Sequence, residues 1–255
     1  MIVEAIEYLT TPCPRWARKL GYLSELIAIR HRARRCRADW AGHLERTKAA
    51  ILAEAEARAP MGDVVILGAG LCLDVPVMEL ADLCQRLILV DAVRPRGLVL
   101  PDNAEFRTMD VHGVSQALAT NGEPNIWARD VSPIQRFKGA SLIVSVNLVT
   151  QLPILPLRAL RRRGLTHAMF DHGISGKIMR DHVSDLRKTG APVLLIGEAR
   201  RRRYDRHGAM TMDENIAAQL LLSNPTVVWT WPIVPPGEAR DGSRLIADIG
   251  VWQLA

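Results

Sequence analysis

Two hydrophobic rhythms divide the 255-residue chain. Across residues 15 to 58, Leu20, Leu23 and Ile27 recur at helical spacing, and Cys36, Trp40 and Leu44 follow at steps of four. Apolar positions three and four apart share one face of a helix, so this region predicts helix, with Gly21 and Gly42 as candidate breaks. Residues 1 to 12 show no such period and read as irregular. Pro60, Gly62 and Asp63 end the helical region. From residue 64 short apolar runs alternate with amphipathic ones. "VVILG", "RLILVDA", "AEFRTMDV", "ASLIVSVN" and "APVLLIGEARRR" read as strands. "VPVMELADLC", "PLRALRRRG" and "GKIMRDHVSDLRKTG" read as helices, the last preceded by a strand-like "THAMFDH". Strand–helix alternation predicts a parallel sheet covered on both faces, with its strand C-termini along one edge. The last 30 residues differ. "TVVWTWPIV" and "RLIADIGVWQL" are separated only by "PPGEARDGS", too short for a crossover helix, so they are expected to pair as an antiparallel hairpin.

Composition changes this picture little. Apolar residues make up 48% and charged residues 24% of the chain, as in an ordinary globular protein. No apolar run approaches the roughly 20 residues of a membrane span. The start, "MIVEAIEYLTTPCPRW", carries no signal-like block, so a cytoplasmic location is expected, with no membrane partner. Cys13, Cys36, Cys72 and Cys84 have no Cys-x-x-Cys spacing, which fits a reducing compartment and argues against a zinc site. The net charge of +6 allows attraction to anionic partners.

Candidate chemistry sits at the strand ends. A strand running into Gly68-Ala69-Gly70 brings bare backbone close to a ligand, and the helix expected after it aims free N–H groups there. Asp91 ends the second strand, 23 residues past Gly68, where a carboxylate can accept from a ribose diol. The alternative is a tight turn without a ligand. Leu73 stands where a pyrophosphate-binding loop has its third glycine, which favours a phosphate-free cofactor. Asp110 can accept from an adenine amino group or cap a helix.

"VVILGAGLCLD", "LILVDA", "RTMDV" and "SLIVSVNLVTQLP" together resemble the class I S-adenosylmethionine-dependent methyltransferases. Within them the chain is most similar to a poorly characterised bacterial group with an arginine-rich helical N-terminus and "NLVTQLP". The resemblance implies an α/β fold: a Rossmann-like seven-stranded sheet over residues 61–255, closed by the C-terminal antiparallel hairpin, with residues 1–60 as a helical extension. It implies S-adenosyl-L-methionine as cofactor, with Gly68, Ala69 and Gly70 along its methionine part. Asp91 and Ala92 would meet its ribose, Asp110 and Val111 its adenine, and Asn147 its methyl group. Two positions depart from the family pattern: Ile66 replaces the usual acidic residue and Cys72 a small one. The looser turn also admits transfer of the aminocarboxypropyl group, as in nicotianamine synthases.

For catalysis the candidates are Asn147, Gln151 and His172. Methyl transfer needs positioning more than a nucleophile, and the amide pair of Asn147 and Gln151 can orient a substrate amine or hydroxyl, or simply hold a loop. His172 follows a strand-like stretch and is a candidate base; His182 lies within a helix, and His112 beside Asp110. Asp171-His172 with Asp181-His182 lacks further ligands at metal-binding spacing, so no metal is expected. No serine sits in a nucleophile elbow. Arg30, Arg34 and Arg37 share a helix face, as a solvated surface or a cap that attracts an anionic substrate. Arg200 to Arg203 end a strand, with the following "DRHG" as a turn; a nucleic-acid role there is possible but not favoured over a charged, pairing-resistant strand. Trp229 and Trp231 point to one face of their strand, as core. The expected function is methyl transfer to a small-molecule or anionic substrate. A non-catalytic binding protein on the same fold and an NAD(P)-dependent oxidoreductase are the alternatives. The sequence carries no signal of oligomeric state.

Overall fold

A computed structural model describes residues 2–120, 132–166 and 168–254. Four helices lead: α1 (Ile2–Thr10), α2 (Arg15–Leu20), α3 (Tyr22–Arg35) and α4 (Arg37–Glu56). The first corrects the expectation of an irregular start. The second break falls at Cys36, and Gly42 lies inside α4. Gly21 does break the chain: its φ of 95° is open to glycine, and its amide caps α2.

The sheet follows: β1 (Met61–Leu67), β2 (Cys84–Asp91), β3 (Ala104–Thr108), β4 (Leu142–Val146), β5 (Val193–Tyr204), β6 (Met210–Asn215), β7 (Val227–Val234) and β8 (Arg244–Leu254). Between them run α5 (Val77–Leu83), α6 (Val114–Ala119), a 3-10 turn (Pro133–Phe137), α7 (Ile154–Arg162), α8 (Ala168–Lys188) and α9 (Ile216–Gln219). The strand order is β3-β2-β1-β4-β5-β8-β7. β3, β2, β1, β4 and β5 are parallel, while β8 pairs antiparallel with both β5 and β7. This is the parallel core closed by a terminal hairpin that the sequence predicts.

Three features differ from expectation. The sheet has eight strands, because "MTMDEN" forms β6 and pairs antiparallel with the far end of β5. Its polar alternation hid it: both faces of this wing carry charge. "THAMFDH" is no strand; from Ala168 it belongs to α8, and His167 lies outside the described residues. Finally, α5 starts at Val77, seven residues after Gly70, so no helix N-terminus abuts that turn.

Side chains alternate across the strands and split the core into two layers. Val65, Leu67, Ile88, Val90, Ile143 and Leu195 pack with α7 and α8 on one face. Val64, Ile66, Leu87, Leu89, Val144, Ile196 and Trp229 pack with α4 and α5 on the other. A third cluster joins Leu23, Leu26 and Ile27 of α3 to Ala92 and Val93, just beyond β2. The leading helices therefore fold over the C-terminal edge of the sheet. Among the described residues no helix is long and apolar enough to cross a membrane.

Candidate functional site

The order of the strands reverses between β1 and β4, and open α/β sheets bind ligands outside the strand ends at such a point. Gly68 through Gly70 leave β1 here, Asp91 ends β2 and Asn147 follows β4. Gly68 has φ 85°, and a Cβ there would lie 2.7 Å from the Val146 carbonyl oxygen. Its missing side chain lets β1 pass close to β4. Gly70 has φ 47°, and its amide donates to Asp91 Oδ2 across 2.8 Å.

Asp91 is thereby both site residue and turn brace. Its Oδ1 accepts from the Ala92 amide at 2.6 Å, and the Val93 amide adds a third bond. Burial pushes its carboxyl pKa up against these amides. A carboxylate offers about four acceptor positions, so one remains for an incoming hydroxyl. Asp110, nearly buried, accepts from the Gln116 amide at 2.7 Å and braces the first turn of α6. His112, also buried, accepts the Val114 amide at Nδ1. Val111 is buried beside them, as is Ala92 beside Asp91, and Ala69 beneath the turn.

Tyr22, at the start of α3, faces this half of the site. Its hydroxyl lies 2.6 Å from Ser115 Oγ. Burial, and then the charges of Asp110 and Asp91, push its phenol pKa up. The extension thus brings a phenol within reach of the charges of the two carboxylates that sequence reasoning assigns to ribose and adenine. Nothing in the periodicity singled out Tyr22.

The other half of the site centres on Asn147, whose own φ is 48°. Its side-chain amide lies 2.7 Å from Asp74 Oδ2 and 3.1 Å from His43 Nε2. His43 Nδ1 accepts from Trp229 Nε1 at 3.1 Å. The imidazole stacks on Trp231 at 3.9 Å, and Trp40 meets Trp231 edge-on at 5.4 Å. Burial lowers the His43 pKa to about 3 and raises that of Asp74. Cys72, at φ 54°, is pushed up to about 12 by burial and then by the charges of Asp74 and Asp91. At neutral pH imidazole and thiol are uncharged.

Asp74 and His43 were not singled out in the sequence. Asp74 lies in "GLCLDVP", four residues past Gly70, and His43 on the buried stripe Trp40, His43, Thr47, Ile51 of α4. Periodicity placed Leu44 on that stripe, yet Leu44 is only half-buried and the polar His43 is inside. Trp229 and Trp231 are more than core: both touch His43.

The remaining candidates sort as follows. Gln151 is exposed and donates to the Asn147 backbone carbonyl at 2.6 Å, so it steadies the turn rather than forming a side-chain amide pair. His172 is exposed in the first turn of α8, not at the end of a strand, which removes the ground for aiming it into the cleft. His182 is fully buried, with Nε2 2.9 Å from Ser145 Oγ beneath β4. Thr150 of "NLVTQLP" donates to Glu198 of β5 at 2.6 Å.

Several arginines of the basic runs are matched internally. Arg30 pairs with Glu7, and Arg35 grips Glu238 with two bonds of 3.1 and 2.6 Å. On the β5 wing Arg200 pairs with Asp213, Arg201 with Glu198 and Arg202 with Asp248. Two surface hollows of about 430 and 450 Å³ lie elsewhere, one beside Arg203 and Asp241, the other beside Met61 and Pro192. Among the described residues no group of three or more His, Cys, Asp or Glu is placed to hold a metal ion.

No protein-family model matches the chain, and no curated protein does. Among solved structures, one similar to it is provisionally named a type II methyltransferase, from Anaeromyxobacter dehalogenans. It is 12% identical over 80% of this chain and 94% of that one, with a TM-score of 0.34. Another is the small RNA methyltransferase HEN1, 13% identical over 82% of this chain and 26% of that one, with a TM-score of 0.31.

Proposed function

We propose that the chain is an S-adenosylmethionine-dependent methyltransferase acting on a small-molecule or anionic substrate. The observation that carries this reading is the bond from the Gly70 amide to Asp91 Oδ2 at the point where the strand order reverses. It makes the glycine turn and the acidic strand end one unit, with an acceptor left for a ribose hydroxyl. The residues fit such a cofactor. Asp91 would take the ribose, Asp110, Val111 and Tyr22 would surround the adenine, and Gly68 to Gly70 would lie under the methionine part. When bound, the cofactor supplies an electrophilic methyl group. Asn147 would then orient the acceptor, while Trp229, Trp231 and Trp40 keep water from that side. A dinucleotide suits the site less well, since α5 begins too far from the turn to receive a pyrophosphate.

One observation favours a second reading, a non-catalytic binding protein. Asp91 and Asp110 already satisfy backbone amides, and the charges of both reach the Tyr22 phenol. Calorimetry with S-adenosylhomocysteine separates the two. Measurable binding supports the methyltransferase. Absence of heat with both that compound and NAD(P) favours the binding protein, and heat with the dinucleotide alone favours an oxidoreductase.

A further inference from the structure

The hydrogens around His43 balance in only one way. An indole nitrogen donates and never accepts, so Trp229 Nε1 makes His43 Nδ1 an acceptor. A neutral imidazole then carries its proton on Nε2. The Asn147 atom 3.1 Å from Nε2 must accept that proton, which makes it the amide oxygen; oxygen and nitrogen of an amide are told apart only by such partners. The same atom lies 2.7 Å from Asp74 Oδ2. Two oxygens at that distance need a hydrogen between them, and only the Asp74 carboxyl can carry it. The NH₂ group of Asn147 is left on the other arm, buried and without a partner in the chain. Trp40 Nε1, on a side chain only 5% exposed, and Trp231 Nε1 are also buried and unpartnered. Every unsatisfied polar group of this cluster is then a donor.

We infer that Asn147 presents its NH₂ as a donor, locked by His43 and a neutral Asp74, and that the ligand atom it receives is a carboxylate or carbonyl oxygen. This rests on the proposed function only in taking Asn147 as the place where substrate meets the site. A donating Asn147 suits an oxygen acceptor rather than the substrate amine that its sequence context also allowed. Asn147 is the binding group here; His43 and Asp74 are positioning residues. The groups acting on Asp74 are Asn147, Lys48 of α4 and Cys72 of the turn, with Asp91 also acting on Cys72 and His43 reaching Asp74 through Asn147. Burial pushes the Asp74 carboxyl in the direction the geometry requires.

Three measurements on the full chain test this. Nitrogen-15 NMR of His43 should show Nε2 protonated and Nδ1 as acceptor; the opposite tautomer overturns the inference. Stability against pH is compared between wild type and Asp74→Asn. A carboxyl held neutral by the fold is a group with a raised folded pKa, so its contribution is lost as pH rises from the ordinary carboxylate range through that value. Asp74→Asn should therefore be at least as stable as wild type at neutral pH. Marked destabilisation there means an ionised, accepting Asp74 and overturns it. The acid-side effect of His43 is common to both proteins and cancels. Last, acetate and methylammonium serve as probes. Acetate should shift the Asn147 side-chain NH₂ signals and methylammonium should not; the reverse, or no response to either, rejects the donor assignment. Calorimetry with S-adenosylhomocysteine on the same sample keeps the two readings apart. If that compound binds while acetate fails, the methyltransferase stands and the donor site falls. If acetate shifts the amide while the compound fails, the donor site stands and the methyltransferase falls.

Discussion

Tyr22 Oη and Ser115 Oγ lie 2.6 Å apart, and that bond joins the leading helices to the helix behind β3. Ser115 is fully buried. Tyr22→Phe therefore strands a hydroxyl away from water and should destabilise the chain by about 1–2 kcal/mol, read from urea unfolding. A variant as stable as wild type would show that the contact is not formed in solution.

Gly68→Ala should cost more than Gly97→Ala. Both positions have positive φ, 85° and 77°, so both variants carry backbone strain of roughly 1–3 kcal/mol. Only at Gly68 does the new methyl meet a carbonyl, at 2.7 Å, whereas nothing lies within 4 Å at Gly97. Thermal melts of the pair isolate the steric part, and equal losses would mean that β1 and β4 do not approach as described.

Asp91→Ala should weaken S-adenosylhomocysteine binding by about 1.5–3 kcal/mol, the usual loss for a charged acceptor. It should also lower stability, because the Gly70 and Ala92 amides lose their partner. Reduced stability with unchanged affinity would remove the ribose from Asp91 while keeping the turn.

His43 predicts a loss of stability on the acid side. Burial lowers its pKa from 6.5 to about 3. Between those values the unfolded chain binds a proton that the folded one refuses, so stability falls as pH drops through the window, by on the order of 3–5 kcal/mol in full. His43→Phe should flatten that slope, whatever it does to stability at neutral pH. An unchanged slope assigns the acid sensitivity to other groups.

The parallel strands, the terminal hairpin, the glycine turn and Asp91 were legible because each leaves a local mark: an apolar run, a short connection, a bend residue, a charge at a fixed interval. Asp74, His43 and Tyr22 leave none. They are polar groups on buried faces, and a periodicity that sorts apolar from polar sends them to the surface. Leu44 and His43 show the failure most plainly, adjacent residues on α4 with their burial reversed from expectation. β6 was missed for the same reason, since its adjacent acids Asp213 and Glu214 lie opposite the arginines of β5 rather than a core. The strand-like reading before His172 failed differently: Ala168, Met169 and Phe170 carry enough apolar character to imitate a strand, yet they belong to α8.

The way α4 lies along the sheet has a practical corollary for anyone shortening this protein. A truncated gene beginning at Met61 would yield a product whose sheet shows Val64, Ile66 and Val144 to solvent on one flank. It would also lack the imidazole that orients Asn147. Such a product should aggregate rather than fold into a smaller working unit, so trimming for expression should leave the leading helices in place.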